Sequence, residues 1–172
     1  IYSATEPKEI SIGVESGNGI DIDNSSYITI DNITIRDYFT DGIDVTSSNN
    51  IQIINSELDY NYRRAVNLTS SPLVTVDHNT IKGSGSMALG LYNKSADVAF
   101  TNNTVSDLGI MKNISSKGIK ASQVTQLYSE RGTATGNIMT NLGYIGIIAR
   151  GIDCVIQNNL VEDFCMVMDD GS

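Results

Sequence analysis

The stretch GIDVTSSNNIQIINSEL, residues 42–58, decides the architecture, because the chain on either side repeats its pattern. GIDIDNSSYITIDNITI (19–35) precedes it and AVNLTSSPLVTVDHNTI (65–81) follows, each offset by 23 residues. Gly19, Gly42, Ala65 and Ala88 head successive units, and Asn32, Asn55 and His78 share one column, which Asn102 joins after a one-residue insertion. Short alternating apolar runs at this period, with turn residues between them, predict a solenoid of β-strands.

Within a unit, Ile43 and Val45, then Ile51 and Ile53, then Leu58 are expected to point inward, with Asp44, Gln52 and Glu57 outward. No run is long enough to stand alone. Stacked coil on coil, the runs become three parallel sheets around one continuous core. An Asn at the same tight turn of every coil can bond its amide to the coils above and below. The column Asn32, Asn55, His78, Asn102, Gly136 and Asn158 is read as that ladder.

The pattern G-I-D-V, then S-x-N-I-x-I-x-N, then x-x-I resembles the right-handed parallel β-helix repeat of the pectate-lyase-like superfamily, from about Glu9 to Asp170. The resemblance implies an all-β, single-stranded parallel β-helix of about seven coils with an Asn ladder. It implies a polysaccharide partner, whether bound, eliminated, hydrolysed or epimerised, without choosing among these reactions. It also implies a secreted or cell-surface bacterial protein, with the signal peptide outside these residues.

The 172 residues fit one domain. At about 4.8 Å per coil the rod would be roughly 30 to 35 Å long. Residues 1–8 are irregular, the first strand belongs to a coil without its beginning, and the C-terminal CMVMDDGS stops in mid-pattern. A solenoid needs polar-faced ends, so residues 1–172 are expected to be a module of a longer protein, with further domains of the same chain as partners, or to have their caps supplied by another chain. The net charge of −9 argues against nucleic acid and disfavours a heavily anionic glycan unless calcium bridges the charges. A neutral or weakly charged glycan of plant cell-wall type is the easier ligand. With no tryptophan, any stacking platform must come from the eight tyrosines or three phenylalanines. No apolar stretch is long enough for a membrane span. Two cysteines do not make a disulfide framework, and Cys154 aligns with the inward Ile28, which favours a buried free thiol over a bridge to Cys165.

The irregular coil points to a site. From Asn102 to Gly118 the count is 16 where other coils need 10, and from Gly118 to Gly136 it is 18 where others need 13. Both insertions flank the run Gly118 to Ala121, so two lengthened turns would wall a groove across its outer face. With Ile119 and Ala121 inward, the outward row is Asp21, Asp44, Asn67, Gly90, Lys120 and Ile148. Beside it run Asp23, Thr46, Thr69, Tyr92, Ser122 and Arg150.

Elimination from a uronic acid would need a base and a cation that neutralises the carboxylate, for which Lys120 and Arg150 have the right chemistry. Hydrolysis needs two carboxylates, available as Asp21 with Asp44, Asp41 with Asp44, or Asp169 with Asp170. Substrate contacts are expected from Asp21, Tyr60, Tyr62, Arg64, Asn67, Tyr92, Tyr128, Glu130 and Arg131. No His and Cys set of zinc type occurs, whereas a calcium ion held by Asp side chains is open. Three roles therefore stand at the level of sequence: a glycan-binding module, a polysaccharide lyase or glycoside hydrolase, and a structural or adhesive solenoid.

Overall fold

The computed structural model describes residues 17–93, 95–110 and 125–166. They form three parallel six-stranded sheets wound as a solenoid. The first sheet is built from β1 (Ile20–Asp23), β4 (Ile43–Thr46), β7 (Arg64–Thr69), β10 (Met87–Tyr92), β13 (Thr125–Leu127) and β16 (Ile147–Ala149). The second contains β2 (Ser26–Asp31), β5 (Asn49–Ile54), β8 (Val74–Asp77), β11 (Ala99–Thr101), β14 (Thr133–Thr135) and β17 (Val155–Gln157). The third contains β3 (Thr34–Arg36), β6 (Glu57–Asp59), β9 (Thr80–Lys82), β12 (Thr104–Ser106), β15 (Ile138–Thr140) and β18 (Leu160–Val161). The described residues thus make six coils, against the seven or so expected for the whole chain.

The register follows the sequence period. Ile43 lies between Ile20 and Val66, and Ile53 between Ile30 and Val76, each one coil apart. Ile43, Val45, Ile51, Ile53 and Leu58 are all fully buried, as the alternation predicts. Covering a side chain of this kind contributes about 1.5 to 3 kcal/mol, and stacking repeats that gain in every coil. Towards the C-terminal end the gain fades. Phe100 is 0 % exposed, while Ile156, two coils on in the same inward column, is 48 % exposed.

The turns explain the rest of the repeat. Asn32, Asn55, His78, Asn102, Gly136 and Asn158 all have positive φ, between 50° and 70°. Asn and Gly tolerate that left-handed conformation better than other residues. It carries the side chain outward, so the Asn55 and Asn102 amides donate to Asp31 and Asp77 on the surface. These residues are therefore not the ladder. The ladder runs one position later, through Ser56, Asn79, Asn103, Asn137 and Asn159. Both the backbone N–H and the Nδ2 of Asn79 donate to Oδ1 of Asn103, at 2.9 and 3.1 Å. Asn103 does the same to Asn137, and Asn137 to Asn159. His78, expected to be a rung, instead sits on the surface with Nδ1 2.6 Å from Asp77. A shorter ladder of Ser48, Ser71 and Ser95 lines the turn between the first two sheets.

Two further expectations meet the structure here. Cys154 and Cys165 are free thiols, and Cys154 packs half-buried against the core in the column of Ile28. The strand expected at Gly118 to Ala121 is not the one that enters the first sheet, because Thr125 pairs with both Leu89 and Ile147. The step from Leu127 to Ala134 is 7 residues, against 8 from Leu68 to Val76, so the turn there is not lengthened. All the additional residues lie between Ser106 and Thr125, and the groove between two swollen turns is not formed around β13. Lys120 lies outside the described residues. In register, Gln126 is the backbone partner of Ile148, the position that Lys120 was expected to hold.

Candidate functional site

The polar row on the outer face of the first sheet converges on a cleft of about 640 Å³ over β4, β7 and β10. Register builds it. Asp44 and Asn67 are direct partners on neighbouring strands, about 4.8 Å apart, and their side chains meet: Nδ2 of Asn67 donates to Oδ1 of Asp44 at 2.6 Å. Oδ2 of Asp44 accepts the Thr46 hydroxyl at 3.3 Å. Asn67 is only 8 % exposed, yet its Oδ1 has no protein partner.

One wall of the cleft is an ion pair that spans the coils. Asp41, 3 % exposed, accepts the Arg64 backbone N–H at 3.1 Å on Oδ1 and its Nη1 at 3.2 Å on Oδ2. The Arg63 guanidinium stands 3.9 Å away. Burial pushes the Asp41 carboxyl above its ordinary range, Arg64 and Arg63 oppose that shift, and the neighbouring charge of Asp44 adds to it. Arg64 then continues across the sheet to donate Nη2 to the Tyr92 hydroxyl at 3.2 Å, with its guanidinium carbon 4.9 Å from the ring centroid. Gly90 makes the crossing possible, since a Cβ there would lie 3.0 Å from Cδ of Arg64 and 3.2 Å from the Tyr92 ring. Two carboxylates and two guanidiniums leave the cleft close to neutral.

A family model for right-handed β-helix regions matches residues 9–161. The chain belongs to the right-handed β-helix family. No curated protein matches it in a sequence comparison.

In this β-helix the sequence-predicted residues fall into separate groups. Asp44, Arg64, Asn67 and Tyr92 come together in the cleft, and Asp21 faces Asp44 from the next strand while accepting the Asn18 amide. Tyr128, Glu130 and Arg150 line a second cavity of about 450 Å³, where Arg150 lies 5.5 Å from the centroid of the Tyr128 ring. Tyr92 and Tyr128 are neighbours in one column, so the β-helix twice sets a guanidinium against a tyrosine along the same line. Arg131 is not directed at either cavity. It clamps Asp97 through two bonds of 2.6 and 2.7 Å, and this pairing draws the Asp97 carboxyl below its ordinary range. Tyr60 packs against Gly83, and Tyr62 stacks on Phe39 with centroids 4.8 Å apart and planes 7° from parallel, beside the Arg63 wall. Lys120, Asp169 and Asp170 lie outside the described residues. Among the described residues no group of three or more His, Cys, Asp or Glu side chains could hold a metal ion.

Asn18 is a wall residue that the sequence reading passed over. Its Oδ1 accepts the Asp41 backbone N–H at 3.0 Å. A signal was present, because Asn18, Asp41 and Arg64 each stand one place before the residue that heads a coil, at the 23-residue spacing. Their shared side of the turn becomes visible only when the coils are stacked.

Proposed function

We propose that this β-helix binds a neutral or weakly charged polysaccharide in the cleft over β4, β7 and β10, as a secreted or surface-displayed module. The lining of the cleft carries the reading, since Asp44, Thr69 and Asn93 offer acceptors and donors to sugar hydroxyls while the Tyr92 ring offers an apolar face. The balance of Asp41 and Asp44 with Arg63 and Arg64 gives no net pull on an anionic chain.

Hydrolysis is the second reading, favoured by the burial-raised Asp41 carboxyl next to Asp44, which is a general acid beside a candidate base. Binding is preferred, because both Asp41 oxygens already hold Arg64.

The test is depletion of the protein from solution by insoluble xylan and cellulose, with pectin and alginate as charged controls. Asp44→Ala removes an acceptor, and Gly90→Thr pushes aside the Arg64 side chain and the Tyr92 ring that wall the cleft, since a Cβ there already meets them at 3.0 and 3.2 Å. Each is expected to weaken binding to the neutral polymers at least tenfold, about 1.4 kcal/mol, with an unchanged circular dichroism spectrum. Parent-like binding by both variants would remove the cleft from consideration. New reducing ends that vanish in Asp41→Asn would establish the hydrolytic reading instead.

A further inference from the structure

We propose a second glycan-binding site on a different face of the rod, the outer surface of the second sheet, built on Tyr27 and Leu73 and taking an uncharged, hydroxyl-rich chain. Every coil places one left-handed residue at the entry to this sheet: Tyr27, Asn50, Leu73, Asp97, Arg131 and Asp153, with φ between 54° and 60°. Asn and Asp adopt that conformation readily, because their short polar side chains bond locally. Tyr and Leu have no such compensation. Neither gains burial in exchange, with Tyr27 84 % and Leu73 49 % exposed. Large apolar side chains are thus held outward in a strained backbone, at two turns where the neighbouring coil shows that Asn suffices.

What lies between them is a groove of about 410 Å³. Tyr27 and Leu73 stand two coils apart, roughly 10 Å, as its apolar banks. Thr29, Gln52 and Thr75 on β2, β5 and β8 form its floor, with Asn50 at the rim. These are hydroxyl and amide groups that both donate and accept. The one charge in the lining, Asp97, is already matched by both arms of Arg131. An uncharged floor of hydroxyls and amides, with an aromatic ring at one bank, is complementary to a saccharide, which has an apolar ring face and a rim of hydroxyls. The banks are separated along the rod, so the groove between them runs with the strands and suits an extended chain lying across the rod.

The site is tested on 15N-labelled protein titrated with xylohexaose and with cellohexaose. At least one sugar is expected to shift the amides of Thr29, Gln52 and Thr75. Tyr27→Asn/Leu73→Asn, which introduces the residue already accepted at Asn50, is expected to reduce that affinity at least tenfold and leave the melting temperature unchanged or higher. Asp44→Ala should leave these shifts intact, while the cleft is read separately at the amides of Asp44 and Asn67, so failure at one site is distinguishable from failure at the other. The proposal is overturned if neither sugar at millimolar concentration moves the three amides. Shifts that survive the double Asn variant overturn it too. So would dilution-dependent shifts without sugar that the variant abolishes, which would make the face a contact between copies of the chain.

Discussion

Asp41 sits at a turn that folding alone does not require to be charged. Its folded-state pKa lies above the ordinary carboxylate value, so ionising it costs stability. The sign follows: its contribution is fully present below the unfolded pKa of about 3.9 and is lost as pH rises through the raised folded value. Asp41→Asn is neutral at every pH, so its urea midpoint at pH 7 should exceed the parent's, with the difference shrinking as pH is lowered towards 3. A parent that is the more stable of the two at pH 7 would show that the bond to Arg64 outweighs burial. At this scale the sequence was legible where the period was strict. Asp44 and Asn67 could be placed as direct neighbours because each lies 23 residues from the next. That Gly90 clears a path for Arg64 could not be read, since that depends on the direction of a long side chain across two strands.

Between elements, the ladder of asparagines does the work of fixing one coil on the next. Asn103 accepts two bonds from Asn79, donates two to Asn137 and sends a third to the carbonyl of Val76 at 2.9 Å. In Asn103→Ala the buried Asn79 N–H loses its acceptor, and the loss of stability should reach about 2 to 3 kcal/mol, read as a lower urea midpoint with the slope retained. A loss below about 0.5 kcal/mol, the level of an ordinary surface change, would mean the rungs are ornamental. The ladder's existence was legible in the Asn-rich repeat, but its column was read one place early. Two adjacent positions both favour Asn, one for its tolerance of positive φ and one for its amide, as in the pairs Asn102 and Asn103 or Asn158 and Asn159. Spacing cannot separate the two demands. The misplaced strand has a similar cause. Residues 118–121, GIKA, match the repeat better than TQL at 125–127, where the polar Thr125 occupies a fully buried place.

For the whole molecule, equal register means that coils are interchangeable units. Excising residues 43–65 would join Gly42 to Val66 and set β1 beside β7 in the alignment that β4 has now. The shortened chain should remain β-rich and unfold in one transition, with a urea slope lower by about one-sixth, since the slope scales with the surface exposed. An unfolded product, or a slope unchanged from the parent, would show that the coils are not equivalent. From Asn79 to Asn137 the backbone N–H and the amide of each rung donate to the Oδ1 of the rung in the next coil. The amide of each also reaches back to a carbonyl of the coil before, from Asn79 to Ile53, from Asn103 to Val76 and from Asn137 to Phe100. One side chain thus clasps three coils at once, so losing a single rung loosens two interfaces rather than one.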